Sequence, residues 1–298
     1  EKIDDYTVKI YLSQSFGAFI SNLAHPATLI MSPKQIEAGE DACAQAPVGT
    51  GQYKFVEWVA GDHMKVELNK DWWGYDADVC GGTALADADA GFKSITFKPV
   101  AESATRVSAV QAGDAQIMWS VPTESVDTLK GDSNVSVGMG DSITVWYFFM
   151  NTQKAPFNDV KVREAMAYAI NKEAYIQVVM NGYGSVATSM VGEAVQHYKG
   201  NDPYSYDPEK AKELLKEAGY PDGFTTKINT PEGRYAMDRQ VAEAIQAMLS
   251  QVGITAEVNV LDWGAYTEAA AAGDTEIFLL GKGCATGELA QDLMYNYR

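Results

Sequence analysis

The constraint that bears hardest on the fold is an alternation in the second half of the chain, where capped helices take turns with short β-branched strands. Asp207-Pro208-Glu209 supplies an N-cap, a proline at the first helical position and early negative charge. The apolar period then runs through Ala211, Leu214 and Leu215 to Gly219, a helix-ending glycine, with Pro221 just beyond. Spacing predicts further helices over Val160 to Met180, closed by Asn181-Gly182, and over Asp238 to Val252, closed by Gly253. Strands are predicted over Tyr53–Val59, Met64–Leu68, Ile95–Lys98, Thr144–Met150, Thr225–Asn229 and Ile254–Leu261, and Asp5–Leu12 also reads as a strand. Helix and strand in turn lead to an α/β sheet in the second half; the first half is richer in strand.

Two stretches echo one another. Ser103 to Trp119 follows the strand Ile95–Lys98, runs as a helix into Ala112-Gly113-Asp114, and continues into Ile117-Met118-Trp119. Tyr266 to Leu280 follows Glu257–Leu261, passes through Ala272-Gly273-Asp274 and continues into Ile277–Leu280. The doubled unit predicts two related lobes, with a boundary near Trp146 to Asn151; a helix-stopping glycine met twice by chance is the competing reading. At 298 residues two domains are the default. Both ends read as cuts, because Asp5–Leu12 begins without a lead-in and Asp292–Arg298 stops without a cap. Glu1–Asp5 lacks the basic start and apolar core of a signal peptide, and no apolar run reaches the roughly 18–20 residues of a membrane span.

A formal net charge of −17 repels phosphate backbones and anionic lipid, which argues against nucleic-acid and membrane-surface partners. His25, His63 and His197 lack metal-ligand spacing, and Cys43, Cys80 and Cys284 contain no Cys-x-x-Cys pair. Cys43 and Cys80 are candidates for a disulfide outside the cytoplasm, or two ordinary buried thiols. There is no Gly-x-Ser-x-Gly elbow and no Gly-Lys-Ser/Thr loop. Asp87-Ala88-Asp89-Ala90-Gly91 lacks the further oxygen ligands of a calcium loop and reads as a solvated turn. Gly281-Lys282-Gly283-Cys284-Ala285-Thr286-Gly287 follows a strand and could let backbone N–H groups approach a phosphate, which raises an NAD(P)-binding oxidoreductase as an alternative.

A binding chemistry remains. Trp146 and Phe148 point to one face of their strand, Tyr147 and Phe149 to the other, so one pair can face a cleft while the other packs. Tyr183 lies in a loop and Trp263 at a strand end. Arg234 sits in a turn between strand and helix, at the carboxyl edge where α/β sheets bind ligands.

Collinear segments add a resemblance. Pro47-Val48-Gly49-Thr50-Gly51-Gln52-Tyr53 is similar to a Pro-x-Gly-Thr-Gly-Pro-Tyr motif. Asn69–Gly74, Ala104–Arg106, Gln111–Asp114, Asn151-Thr152, Phe157–Ala165, Tyr206–Ala211 and Glu217–Phe224 follow in the same order. Together they resemble the extracellular solute-binding proteins, family 5, receptors of peptide, nickel and related ABC importers. The resemblance implies an α/β, two-lobed, periplasmic-binding-protein-like fold (type II, large peptide-binding type) with incomplete lobes. Residues 1–46 would end an accessory subdomain of lobe I, 47–145 would be a portion of lobe I, and 146–298 a portion of lobe II; the second hinge strand and the return to lobe I would be absent. It implies a monomer outside the cytoplasm, in the periplasm or as a cell-surface lipoprotein. That monomer would close by a hinge on a small-molecule or peptide ligand and deliver it to an ABC permease in the membrane, with no catalysis and no cofactor. A peptide-sensing receptor without transport is a further alternative.

Carried over position by position, Arg234 resembles the arginine that meets a ligand carboxylate, Tyr147 and Asn151 lie on the hinge strand, and Trp263 matches a tryptophan near the cleft. Lys282, Cys284, Thr286 and Glu288 complete the candidate set, in a segment matching the family's Gly-Trp-Gly-Ala-Asp loop. Here the chain departs from the pattern: Lys282 stands where tryptophan is usual, and Ala285 near the aspartate that receives a peptide's amino group. Thr286-Gly287-Glu288 is similar to a Thr-Gly-Asp subtype, with Glu288 placed to supply the negative charge. The departure argues against a simple dipeptide; a peptide or peptide-like anion is the first expectation, a chelated metal the second.

Overall fold

A computed structural model describes residues 1–86, 91–140, 142–201, 204–284 and 287. Contacts divide the chain into Glu1–Ala101 and Glu102–Arg298. This division falls earlier than the lobe boundary expected at 145/146, because the intervening segment is tied into the second unit. Asn181 Nδ2 donates to Thr123 Oγ1 at 3.2 Å, and the Tyr183 hydroxyl donates to Asp127 at 3.0 Å.

The first unit carries three short helices, α1 (Phe19–Asn22), α2 (Pro33–Ala38) and α3 (Glu40–Gln45), and the strands β1 (Tyr53–Val59), β2 (His63–Leu68) and β3 (Ser94–Phe97). The strands form an antiparallel sheet in chain order. Beside it, the indole N–H groups of Trp72 and Trp73 both donate to the Thr50 carbonyl, at 2.9 and 3.1 Å, which fixes the Gly-Thr-Gly segment. The strand expected over Asp5–Leu12 does not form: among the described residues a lone Lys2–Val8 bridge is all that pairs there, and Tyr6, Val8 and Tyr11 are exposed. The segment folds back on itself, with the Ile3 amide donating to the Thr7 carbonyl at 2.9 Å and the Lys9 amide to the Glu1 carbonyl at 2.8 Å, and β-propensity alone does not extend this into a strand. Cys43 and Cys80 are free thiols; each donates to a nearby carbonyl, Gln35 at 3.4 Å and Trp73 at 3.7 Å.

At the β1–β2 turn His63 lies between Asp62 (Nδ1 to Oδ2, 2.8 Å) and Glu57 (Nε2 to Oε1, 3.4 Å). These bonds, Asp62 foremost, raise the imidazole above its ordinary 6.5. The protonated form therefore steadies the turn fully below that value, and the benefit is lost as pH rises through the raised folded pKa. An NMR titration should show His63 above 6.5, and Asp62→Asn should lower it. An unchanged midpoint in that variant would refute the assignment.

The second unit runs α4 (Ser103–Ala112), α5 (Val126–Lys130), β4 (Thr144–Met150), α6 (Val160–Ala169), α7 (Lys172–Val178), α8 (Pro208–Glu217), β5 (Thr225–Pro231), α9 (Asp238–Ser250), β6 (Thr255–Leu261), α10 (Trp263–Ala271) and β7 (Ile277–Gly283). The caps act as their residue types dictate: Asp207 accepts from the Lys210 amide at 2.9 Å, and Gly219 takes φ 89°. Two expectations fail. The single helix over Val160–Met180 is two, since Asn171 caps a new one by accepting from the Ala174 amide at 2.8 Å. Ile117-Met118-Trp119 forms no strand, and Ile117 and Trp119 are exposed, so the internal echo extends only through strand, helix and glycine.

The sheet order is β4-β7-β5-β6, with β5 parallel to β6 and β7, and β4 antiparallel to β7. One core cluster buries Phe157, Val162, Met166, Leu215, Ile228, Ile245, Leu249 and Ile277 among others, with Trp146, Phe148 and Met150 packed against it. Connection β5–α9–β6 steps one way across the sheet, and β6–α10–β7 returns past β5. The order therefore reverses between β5 and β7, and such a switch point opens a crevice at the carboxyl ends of its strands.

Candidate ligand-binding site

The rim of that crevice is the loop after β5, the end of β7, the start of β4, and the first residue of α10. Buried Asp238 shapes the loop by accepting backbone N–H groups from Arg234 at 3.0 Å and Tyr235 at 3.1 Å. Arg234 is exposed, its guanidinium carbon 4.8 Å from the Trp263 ring centre and 5.5 Å from that of Tyr235. Tyr235 tilts against Trp146 at 5.4 Å and meets Trp263 edge-on at 6.4 Å. Trp263 begins α10, whose N-cap Asp262 accepts from the Gly264 and Ala265 amides, and it stacks on Tyr266 at 5.6 Å. The buried Tyr266 hydroxyl donates to the Leu279 carbonyl of β7, and burial pushes its pKa up, keeping it a donor.

Gly281 completes the wall. A Cβ there would lie 2.8 Å from Tyr235 Cε1 and 3.1 Å from Trp146 Cδ1, so glycine is what lets both rings close over β7. Among the described residues no carboxylate pairs with Arg234. A guanidinium flanked by aromatic faces, with no carboxylate partner among the described residues, has the chemistry to accept an anion.

The predicted residues separate into groups. Arg234 and Trp263 come together. Tyr147 is on the opposite face of β4 from Trp146, its hydroxyl donating to the Met190 carbonyl and its ring 5.3 Å from Phe149. Lys282 pairs with Val145 and lies 5.9 Å over Phe149, on that same face. Cys284 is 1% exposed, packed against Val191 and Val195. Asn151 is at the far end of β4, about 17 Å of strand from Trp146, where its amide donates to the Gly273 and Thr275 carbonyls. Thr286, Glu288 and Ala285, like Asp87 to Ala90, lie outside the described residues. The sequence singles out neither Tyr235 nor Asp238 for this candidate site, and it offers Trp146 only as one of two strand faces and Gly281 only as part of a glycine-rich loop. The phosphate-cradle reading fails for its first two glycines, because Gly281 and Gly283 are extended within β7 and paired to Trp146 and Thr144.

The family described as bacterial extracellular solute-binding proteins, family 5 Middle, matches residues 1–297. The chain belongs to this family. Membership places it in a family of bacterial extracellular proteins, and no helix among the described residues is long and apolar enough to cross a membrane. Family 5 relatives include the glutathione-binding protein GsiB of Escherichia coli (strain K12), 38% identical over 293 residues, which cover 97% of this chain and 55% of the relative. GsiB of Pectobacterium atrosepticum is 36% identical, with 97% and 54% covered. Among solved structures, the ABC transporter-associated periplasmic binding protein DppA from Helicobacter pylori, in complex with peptide STSA, superposes with a TM-score of 0.83 at 30% identity, over 95% of this chain and 54% of that one. AgaA from A. tumefaciens, in complex with agropinic acid, gives 0.80 at 26%, over 96% and 56%. The chain spans about half the length of the curated relatives it matches.

Proposed function

We propose that this chain forms the ligand-gripping part of an ABC importer's receptor, and that it anchors a small peptide or peptide-like anion by a carboxylate on Arg234. The carrying observation is the position of Arg234 at the β5/β7 switch point, held over Trp263 and Tyr235 without an acidic partner among the described residues. Glutathione is the first ligand to test: relatives 36–38% identical are named for binding it, and it is a peptide with free carboxylates. Import rather than sensing is supported by the transporter association of the H. pylori relative. The receptor binds without catalysis, acts as a monomer and hands its ligand to a membrane permease.

Calorimetric titration of the protein at its full natural length should show binding of glutathione, and thermal shifts should appear with peptides and not with NAD(P)H. Arg234→Ala should weaken glutathione binding by about 2–5 kcal/mol, the cost of removing one partner of a desolvated charge pair. Unchanged affinity in that variant, or stabilisation by NAD(P)H alone, would defeat the proposal.

A further inference from the structure

We infer that Asp238 is the positioning residue of this site: its buried carboxylate sets the loop that aims Arg234 and Tyr235, and leaves the guanidinium available to the ligand. Asp238 is 4% exposed, and four backbone N–H groups converge on it. Oδ1 accepts from Gly233 at 3.4 Å and Arg239 at 2.9 Å; Oδ2 accepts from Arg234 at 3.0 Å and Tyr235 at 3.1 Å. An ionised carboxylate offers about four acceptor sites, and here backbone fills them. Asp238 therefore binds the Arg234 main chain, and its oxygens are taken up by backbone and not by the Arg234 side chain. Burying a charge is tolerable only with such partners, and the first turn of α9 adds a favourable dipole.

The loop needs holding. Gly233 has φ 70° and Met237 φ 59°, both left-handed, and a methionine does not adopt that conformation unless its surroundings impose it. From the α9 side the Asp238 carbonyl accepts from Thr230 Oγ1 at 3.3 Å, tying the same residue to the end of β5. The carboxylate thus closes the turn from strand to helix, and the direction of Arg234 follows from that closure. Asparagine in its place keeps the volume but turns an NH2 group toward N–H donors.

This inference rests on Arg234 being the ligand's anchor, so the test has one arm that is independent of ligand. In the full-length protein, Asp238→Asn should lose hydrogen-exchange protection at the Gly233, Arg234 and Tyr235 amides, while Ile245 and Leu249 within α9 keep theirs. In the second arm, Asp238→Asn should weaken glutathione binding about tenfold or more, and Arg234→Ala combined with Asp238→Asn should bind no more weakly than Arg234→Ala alone. Unchanged exchange at the three loop amides overturns the inference whether or not glutathione binds. Effects on affinity that simply add overturn the route through Arg234, since a general loosening of the fold would act alongside that residue and not through it. A wild-type protein that ignores glutathione defeats the proposed function, and the exchange pattern still decides the role of Asp238.

Discussion

Residues 1–101 produced on their own are expected to show no cooperative thermal transition and no strand amides protected from exchange. The reason is burial. Among the described residues of this unit Ala18 is the one buried apolar side chain, and every other buried hydrophobic residue lies beyond Ala101. Its sheet is well paired but has an uncovered face: Trp58 opposes Met64, which in turn opposes Phe97, and all three are exposed. Full burial of side chains of this size is worth about 1.5–3 kcal/mol each, and net stabilities of whole domains are only about 5–15 kcal/mol. A three-stranded sheet that forgoes those contributions cannot offset the conformational entropy of about a hundred residues. The second unit, produced as Glu102–Arg298, should instead melt cooperatively, because its helices and sheet share one buried cluster. Slowed exchange at Lys65 and Val66 in the isolated first unit would contradict the expectation. So would a sharp melting curve.

The same contrast explains what could be read from the chain before its structure. Where local signals coincide with burial they were sufficient: the Asp207 cap and Gly219 stop bracket α8, and the β-branched runs at Thr225 and Thr255 are the parallel pair β5 and β6. Where a signal is purely local it misled. Asp5–Leu12 and Ile117–Trp119 have strand-like composition, and neither acquires the neighbour that would make it a strand. The break between α6 and α7 was hidden because Asn171 falls inside an uninterrupted apolar period, and its capping role shows only in the bond to Ala174. At the site, Arg234 was legible because its place after a strand says which end of the sheet it occupies. Trp146 was not distinguishable from Tyr147, since alternation gives two faces without saying which meets the loop after β5. That depends on β7 lying between β4 and β5, a non-local fact. Asp238 was legible only as the start of a helix; three of its four N–H partners come from the curl of the loop and the fourth, Arg239, from the first turn of α9.

At the opposite end of that sheet, Gly223→Ala is expected to destabilise the second unit by about 2–4 kcal/mol, the sum of left-handed strain and overpacking. Gly223 has φ 76° and Gly253 φ 90°, and the two glycines face each other where β5 and β6 enter side by side. The Thr255 amide donates to the Phe224 carbonyl at 2.9 Å, so this crossing sets the register of the parallel pair. A Cβ on Gly223 would overlap the carbonyl oxygen of Gly253, which is backbone and cannot swing aside. A Cβ on Gly253 would meet its nearest atom, the Asp222 carbonyl oxygen, at an ordinary 3.5 Å. Gly253→Ala should therefore cost only the conformational strain, about 1 kcal/mol. Comparing the two by chemical denaturation separates the causes, and equal losses would show that backbone strain alone matters and that the close approach does not. The larger loss in Gly223→Ala should also reach the site. Arg234 follows β5 and Trp263 follows β6, so relieving the overlap by spreading the two strands would disturb the 4.8 Å stack of guanidinium on indole. A changed indole environment in Gly223→Ala, beside an unaltered one in Gly253→Ala, is the expected spectroscopic result. Identical spectra in both variants would mean that the strand entrance and the ligand rim are mechanically independent.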